Sequence, residues 1–130
     1  MKILLVSFNA KYIHSSLALR LIEGYCSDYK EYLEVLELTI NHEMHEIIKQ
    51  LYNKQPDVLG LSCYIWNMDL IEELLPILTK VLPNTKIVLG GPEVSYNSEA
   101  LFERLPIDLV IENEGEETWY EYLKHLIDGD

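Results

Sequence analysis

The chain is poor in the residues needed for a disulfide scaffold, a metal cluster or a nucleic-acid interface. Its 130 residues include two cysteines, Cys26 and Cys63, far apart and without Cys-x-x-Cys spacing. That excludes a stapled secreted scaffold and points to reduced thiols in a cytoplasmic protein. Basic residues are scarce: 10 Lys and Arg stand against 22 Asp and Glu, a formal net charge of -12. Phosphate backbones and anionic bilayers are bound through clustered Lys and Arg, so neither a nucleic acid nor a membrane is an expected partner. No apolar run reaches the roughly 20 residues of a membrane span. The apolar start Met1-Lys2-Ile3-Leu4-Leu5-Val6 is too short for a leader and lacks a small-residue cleavage site; Asn9 and Lys11 follow at once. It reads as a first strand.

What remains is ordinary for a globular domain: 48% hydrophobic and 25% charged residues, in a length that suits one core. Two periodicities alternate along it. Strand-length apolar runs occur at Ile3 to Phe8, Leu33 to Leu38, Val58 to Cys63, Lys86 to Leu89 and Leu109 to Ile111. Between them, apolar residues recur three and four apart: from Leu17 to Tyr25, Met44 to Tyr52, Met68 to Leu82, Leu101 to Leu105 and Trp119 to Ile127. That spacing places each set on one helical face. Ser15 or Ser16 suits the cap of the first helix, Asn41 or His42 the second, and Asn67 the third. Pro56 and Pro83 close helices before strands, Pro76 predicts a kink or break within the third, and Gly129 suits the last stop. Five strands alternating with five helices predict a single α/β domain over residues 1–130. It is a doubly wound, five-stranded parallel sheet with helices on both faces, in the flavodoxin-like (Rossmann-like) order 2-1-3-4-5. The end at Asp128-Gly129-Asp130 reads as a domain boundary.

In such a sheet, ligands sit outside the carboxyl ends of the strands. The fourth strand ends in Gly90-Gly91-Pro92-Glu93, where missing side chains let a flat ligand approach the backbone. The same edge gathers Asn9, Tyr12, His14 and Ser15 after strand one. Strand three contributes Ser62, Cys63, Tyr64 and Trp66, and strand five contributes Glu114, Gly115 and Glu116. Small residues, hydroxyls, amides and aromatics suit an extended, amide-bearing ligand with a flat face better than a bare phosphate. Other chemistries of this shape are missing. Ser7-Phe8-Asn9 has no paired acids for a phospho-receiver's Mg²⁺. Tyr12-Ile13-His14 is too bulky for a flavin phosphate loop, and no Gly-x-Gly-x-x-Gly or Walker loop is present. His42-Glu43-Met44-His45-Glu46 has its histidines three apart, not four, and reads as a solvated helix end rather than a zinc site.

These segments resemble the cobalamin-binding domain that precedes the catalytic barrel of B12-dependent radical SAM proteins. Within that group they look like the anaerobic magnesium-protoporphyrin IX monomethyl ester cyclase-like proteins. Three matches carry the resemblance: Ser62 within Leu59-Gly60-Leu61-Ser62-Cys63-Tyr64; Gly90-Gly91-Pro92-Glu93; and Ile107 to Ile111 followed by Glu114-Gly115-Glu116-Glu117-Thr118. Two positions depart from the pattern. The first loop lacks the Asp-x-His-x-x-Gly motif whose His ligates cobalt, and Asn113 stands where Gly is usual. The resemblance therefore implies base-off, His-off cobalamin and, through its cobalt, metal-ion binding, with no separate metal site. It implies a C-terminal radical SAM barrel in the same polypeptide as partner. S-adenosylmethionine and a [4Fe-4S] cluster would belong to that barrel, because two cysteines cannot supply a Cys-x-x-x-Cys-x-x-Cys triad. This chain alone is then a binding module, not a catalyst. Two alternatives remain open: a degenerate B12-type interaction domain without cofactor, and a small α/β enzyme using Cys63 as nucleophile.

Overall fold

A computed structural model describes residues 1–10, 17–95, 98–112 and 115–129. Strands β1 (Ile3–Asn9), β2 (Leu33–Thr39), β3 (Val58–Ser62), β4 (Lys86–Gly90) and β5 (Leu109–Ile111) form one sheet. All pairings are parallel and the order is β2-β1-β3-β4-β5, as the alternation of elements predicts. The central strands β1 and β3 are buried along their whole length. This is why both read as unbroken apolar runs instead of alternating ones.

Helices α1 (Leu17–Tyr25), α2 (Met44–Lys54), α3 (Met68–Val81), α4 (Ser98–Arg104) and α5 (Glu116–Asp128) cover the two faces. Alternation along the strands sends successive side chains to opposite sides. Leu4, Val6, Phe8, Leu59, Leu61, Ile87 and Leu89 pack with Ile47 and Leu51 of α2, Ile71, Leu74, Leu75 and Leu78 of α3, and Leu101 of α4. Ile3, Leu5, Val58, Val88 and Ile111 pack with Leu19 and Ile22 of α1 and Trp119 and Leu123 of α5. Helix α5 is tied to the 27–29 turn by two phenols: Tyr29 donates to Asp128 at 2.7 Å and Tyr120 to Asp28 at 2.9 Å.

Three local expectations are revised. Pro76 neither breaks nor ends α3, which runs on to Val81. Its ring lies on the exposed side, where water can take the carbonyl it frees. Helix α2 starts one turn position later than expected, with Glu43 at its N-cap. The His42 side chain is engaged elsewhere: its Nδ1 accepts from the Thr39 N–H at 3.1 Å, holding the end of β2. Asn67 does occupy the N-cap of α3 but makes no capping bond, because its side chain ties strands together instead. The stop at Gly129 is as expected, with φ +80° closing α5. Ser15 and Ser16 lie outside the described residues. No helix among those described is long and apolar enough to cross a membrane.

Candidate functional site

Strand register explains why a cleft opens on one face only. On the α1/α5 face, one row of the sheet reads Ser7, Ser62, Gly90, Ile111 across β1, β3, β4 and β5. The row beneath reads Leu5, Gly60, Val88, Leu109. Three of the four positions where β3 and β4 meet the carboxyl edge are therefore Gly or Ser. Helices α1 and α5 span this face but have little side chain to meet there. A cleft of about 770 Å³ is left, within the range of about 300–1,000 Å³ typical of small-molecule and cofactor sites. It opens at Gly90, Gly91 and Pro92 and reaches Gly60 and Trp119 between α1 and α5.

The mouth is held by a tight crossover between the ends of β3 and β4. Cys63 N–H donates to the Gly90 carbonyl at 2.7 Å, and Glu93 N–H donates to the Cys63 carbonyl at 3.2 Å. Gly91 sits at φ +100°, and a Cβ there would fall 2.5 Å from the Cys63 carbonyl oxygen. Only glycine satisfies both demands. Pro92–Val94 then form a 3-10 turn, closed by the Ser95 hydroxyl donating to the Gly91 carbonyl at 2.9 Å. Gly90 differs: a Cβ there meets nothing nearer than the Ile111 carbonyl at 3.8 Å. Its missing side chain leaves cleft volume rather than backbone freedom.

The ends of β1 and β3 are joined by Asn67, which is fully buried. Its Nδ2 donates to the Phe8 and Ser62 carbonyls at 3.1 and 3.0 Å, and its Oδ1 accepts from the Tyr64 N–H at 2.9 Å. Trp66 Nε1 donates to the same Phe8 carbonyl at 3.2 Å. The Tyr64 and Trp66 rings stack, 4.6 Å apart and 2° from parallel. The loop that carries them is thus a rigid aromatic shelf at the sheet edge.

Of the residues singled out in the sequence, Ser62, Tyr64, Gly90, Gly91, Pro92, Gly115 and Glu116 line this one cleft. Asn9, Cys63, Trp66 and Glu93 do not. Asn9 is buried and accepts a hydrogen bond from the Ser7 hydroxyl at 2.7 Å. Trp66 stands beside the mouth, and Glu93 is exposed on the turn. The Cys63 thiol lies in the opposite core, and burial pushes its pKa up to about 12. A neutral, sealed thiol is no nucleophile, which removes the reading of an enzyme built on Cys63. Tyr12, His14, Ser15, Asn113 and Glu114 lie outside the described residues.

The inner lining was not singled out in the sequence: Leu5, Leu19, Ile22, Gly60 and Trp119. One signal existed. Gly60 interrupts a buried strand, and a lone glycine there marks a close approach. A Cβ at Gly60 would lie 2.7 Å from the Trp119 indole. Ser62 and Trp119, 8% and 4% exposed, both border the cleft. Among the described residues no buried side-chain nitrogen or oxygen is left unpaired. Neither the Ser62 hydroxyl nor the Trp119 N–H has a partner among the described residues. Among the described residues no Lys or Arg lines it. A largely apolar slot, glycine-walled at its mouth and bordered by Ser62 and Trp119, suits a flat aromatic group on a larger, amide-bearing body.

Comparison with known proteins agrees with this geometry. The 4'-phospho-dehydrooxetanocin synthase of Priestia megaterium is 32% identical over 117 aligned residues, covering 83% of this chain and 16% of that protein. The anaerobic magnesium-protoporphyrin IX monomethyl ester cyclase of Cereibacter sphaeroides is 28% identical over 102 residues, covering 78% of this chain and 16% of that protein. The chain thus spans about a sixth of the length of these curated relatives. Among solved structures, the cobalamin-dependent S-adenosylmethionine radical enzyme OxsB, with aqua-cobalamin and S-adenosylmethionine bound, superposes with a TM-score of 0.77. That match is at 24% identity and covers 98% of this chain and 19% of OxsB, so it speaks for the fold. Residues 3–123 match the B12 binding domain family. The chain is a member of that family, with the five-stranded α/β fold the family shares.

Proposed function

We propose that this chain is a module that holds cobalamin at the carboxyl edge of its sheet, with the nucleotide tail in the cleft between the sheet and helices α1 and α5. The observation that carries this reading is the cleft itself. It begins at Gly90-Gly91, reaches Gly60 where the Trp119 indole and Leu5 close it, and is bordered by Ser62 and Trp119, whose polar atoms have no partner among the described residues. A domain that kept the fold but lost its ligand would have no selective reason to keep such a slot unfilled.

Each residue has a definite task in this reading. Gly90 and Gly91 let the ligand pass against backbone. Ser62 supplies a hydroxyl within the slot. Tyr64, stiffened by Trp66, gives a flat apolar surface at the rim. Asn67 fixes the spacing of β1 and β3, on which the rim depends. Tyr12, His14 and Ser15 from the first loop, with Glu93, Glu114, Gly115 and Glu116, complete the proposed surround. When bound, the corrin supplies methyl carriage and low-valent cobalt chemistry; the protein's share is position and electrostatics. We take the cofactor to be base-off and His-off. The parent would be a longer polypeptide whose C-terminal radical SAM barrel, with S-adenosylmethionine and a [4Fe-4S] cluster, uses the corrin for methyl transfer or related radical chemistry. Ile65, 80% exposed beside the mouth, is suited to meeting that barrel.

The test is a visible-spectrum titration of the chain with hydroxocobalamin, repeated on Gly90→Leu. A Cβ at Gly90 meets nothing nearer than the Ile111 carbonyl at 3.8 Å, and circular dichroism checks that the variant keeps its fold. Saturable binding with a base-off spectrum, lost in Gly90→Leu, supports the reading. Failure of the wild-type chain to bind overturns it in favour of the interaction-domain alternative. Unchanged binding in the variant places the ligand outside the cleft.

A further inference from the structure

Helix α5 is lightly anchored for its length. Over 13 residues it buries two side chains, Trp119 and Leu123, whereas α3 buries four, Ile71, Leu74, Leu75 and Leu78, over 14. Its other large residues, Tyr120, Tyr122, Leu126 and Ile127, are half-buried. Where α5 begins, Gly115, Glu116 and Trp119 border the cleft in place of a packed neighbour. A segment with few buried apolar groups comes away at lower cost than the rest of a fold.

A crossed pair of hydrogen bonds makes up for this thin packing. Asp28 and Tyr29 are neighbours in the 27–29 turn, and they reach α5 in opposite senses. Asp28 accepts from the Tyr120 hydroxyl at 2.9 Å, and the Tyr29 hydroxyl donates to Asp128 at 2.7 Å. Tyr120 and Asp128 stand two turns apart on α5, about 12 Å along a helix. One such bond would leave α5 free to pivot about it; two, that far apart, fix both its position and its direction. Each acceptor is a carboxylate, which strengthens the bond over a neutral pair. The Tyr120 ring also meets Tyr25 edge-on at 6.0 Å and Tyr29 at a tilt at 5.5 Å. The turn itself belongs to the body of the fold. Its Tyr29 N–H donates to the Cys26 carbonyl and the Tyr32 N–H to the Tyr29 carbonyl, both at 2.9 Å; the Tyr32 carbonyl accepts from Ile3 N–H of β1 at 2.8 Å.

We infer that α5 is the movable wall of the cleft. It comes away from the sheet as one unit, ahead of the rest of the fold, and the crossed Tyr–Asp pair is the catch that holds it shut. Opening bares the inner end of the cleft, where the Trp119 indole stands against Gly60. Tyr29 and Tyr120 are thus positioning residues for that wall, whatever the cleft binds.

Hydrogen exchange tests this, read amide by amide by nuclear magnetic resonance in urea below the unfolding transition. In the wild-type chain the α5 amides are expected to share one opening free energy and to exchange about tenfold or more faster than those of β1 and β3. Their rates should also depend less on urea, because a partial opening exposes less surface. Tyr29→Phe and Tyr120→Phe each keep the ring and remove one hydroxyl. Exchange in α5 should rise about tenfold in the first and about threefold in the second. Leu61→Ala separates the wall from the rest, since Leu61 packs in the core on the other face. It should speed exchange in β1 and β3 about thirtyfold or more and leave α5 unchanged. If Leu61→Ala does not fold, the urea dependence of the wild-type chain and the two Phe variants decide. One rate and one urea dependence shared by α5, β1 and β3 overturns the inference, as does an α5 sped by Leu61→Ala. Unchanged α5 exchange in both Phe variants also overturns it, because the catch would then lie elsewhere.

Discussion

The two faces of the sheet are built from alternate residues of the same strands, yet one is filled and the other hollow. The row Leu36, Val6, Leu61, Leu89, Val110 faces α2, α3 and α4 with a large apolar side chain at every strand. One residue further along each strand, Glu37, Ser7, Ser62, Gly90, Ile111 faces α1 and α5. Only the edge strand β5 brings a bulky apolar group to that row. Stability and function are thus assigned to opposite sides of one backbone. The filled face is the foundation that lets the hollow face stay open.

The sharpest break in this comparison comes from neighbouring residues. Leu61→Ala should cost about 2–5 kcal/mol, since it removes a buried side chain from a close-packed row. Ser62→Ala should change stability by about 0.5 kcal/mol or less, because its hydroxyl has no partner to lose among the described residues. Urea unfolding of both variants is the measurement. Equal losses at the two positions would mean that the hollow face is packed after all.

Next comes the clasp between the faces' shared strand ends. Asn67→Ala removes three buried hydrogen bonds and strands the Ser62 carbonyl, for an expected cost of about 2–3 kcal/mol. The loss should also loosen the aromatic shelf, visible as a change in the fluorescence of Trp66. A near-neutral Asn67→Ala would show that α3 and the loop hold the strand ends without it.

Two glycines on the hollow face separate steric fit from open volume. Gly60→Ala drives a methyl into Trp119 and Leu5 and should cost about 1–3 kcal/mol. Gly90→Ala has room and should stabilise by about 0.4–1 kcal/mol, through the lower entropy of the unfolded chain. If the order of the two were reversed, the assignment of the slot's walls would be wrong.

Much of this fold was legible because hydrophobic period is a local property. The runs at Ile3, Leu33, Val58, Lys86 and Leu109 could only be buried strands, and the connecting patterns could only be helices. Gly90-Gly91 was legible too, because a strand that ends in two glycines and a proline has few uses. The cleft's interior was not. It depends on Ser7, Ser62 and Gly90 coming into one row, which is a matter of register between strands far apart in sequence. Trp119 reads as an ordinary core residue of an amphipathic helix until Gly60 is seen beneath it. His42 and Asn67 misled for a related reason. The His42 ring turns back to the Thr39 N–H, and Asn67 spends its side chain on the Phe8 and Ser62 carbonyls and the Tyr64 N–H.

The two cysteines allow a last, smaller test of which side of the sheet is sealed. Cys63 belongs to the filled face and Cys26 to the core under α1; both are fully buried. Burial raises the Cys63 thiol to about 12 and the Cys26 thiol to about 11. An unfolded thiol titrates near 8.5. Because the folded values are raised, the folded state holds its protons where the unfolded state has lost them. The stability this confers is complete below about pH 8.5 and declines as pH rises toward the folded values. Between pH 7.5 and 9.5, Cys63 alone should contribute a fall of about 1 kcal/mol. Cys63→Ala should show a correspondingly shallower fall over the same window, measured by urea unfolding at both pH values. A thiol reagent should leave both cysteines untouched in the native chain and label both in urea. Rapid native labelling of Cys63, with no change of slope in Cys63→Ala, would mean that the filled face admits solvent, and the contrast between the two faces would fail.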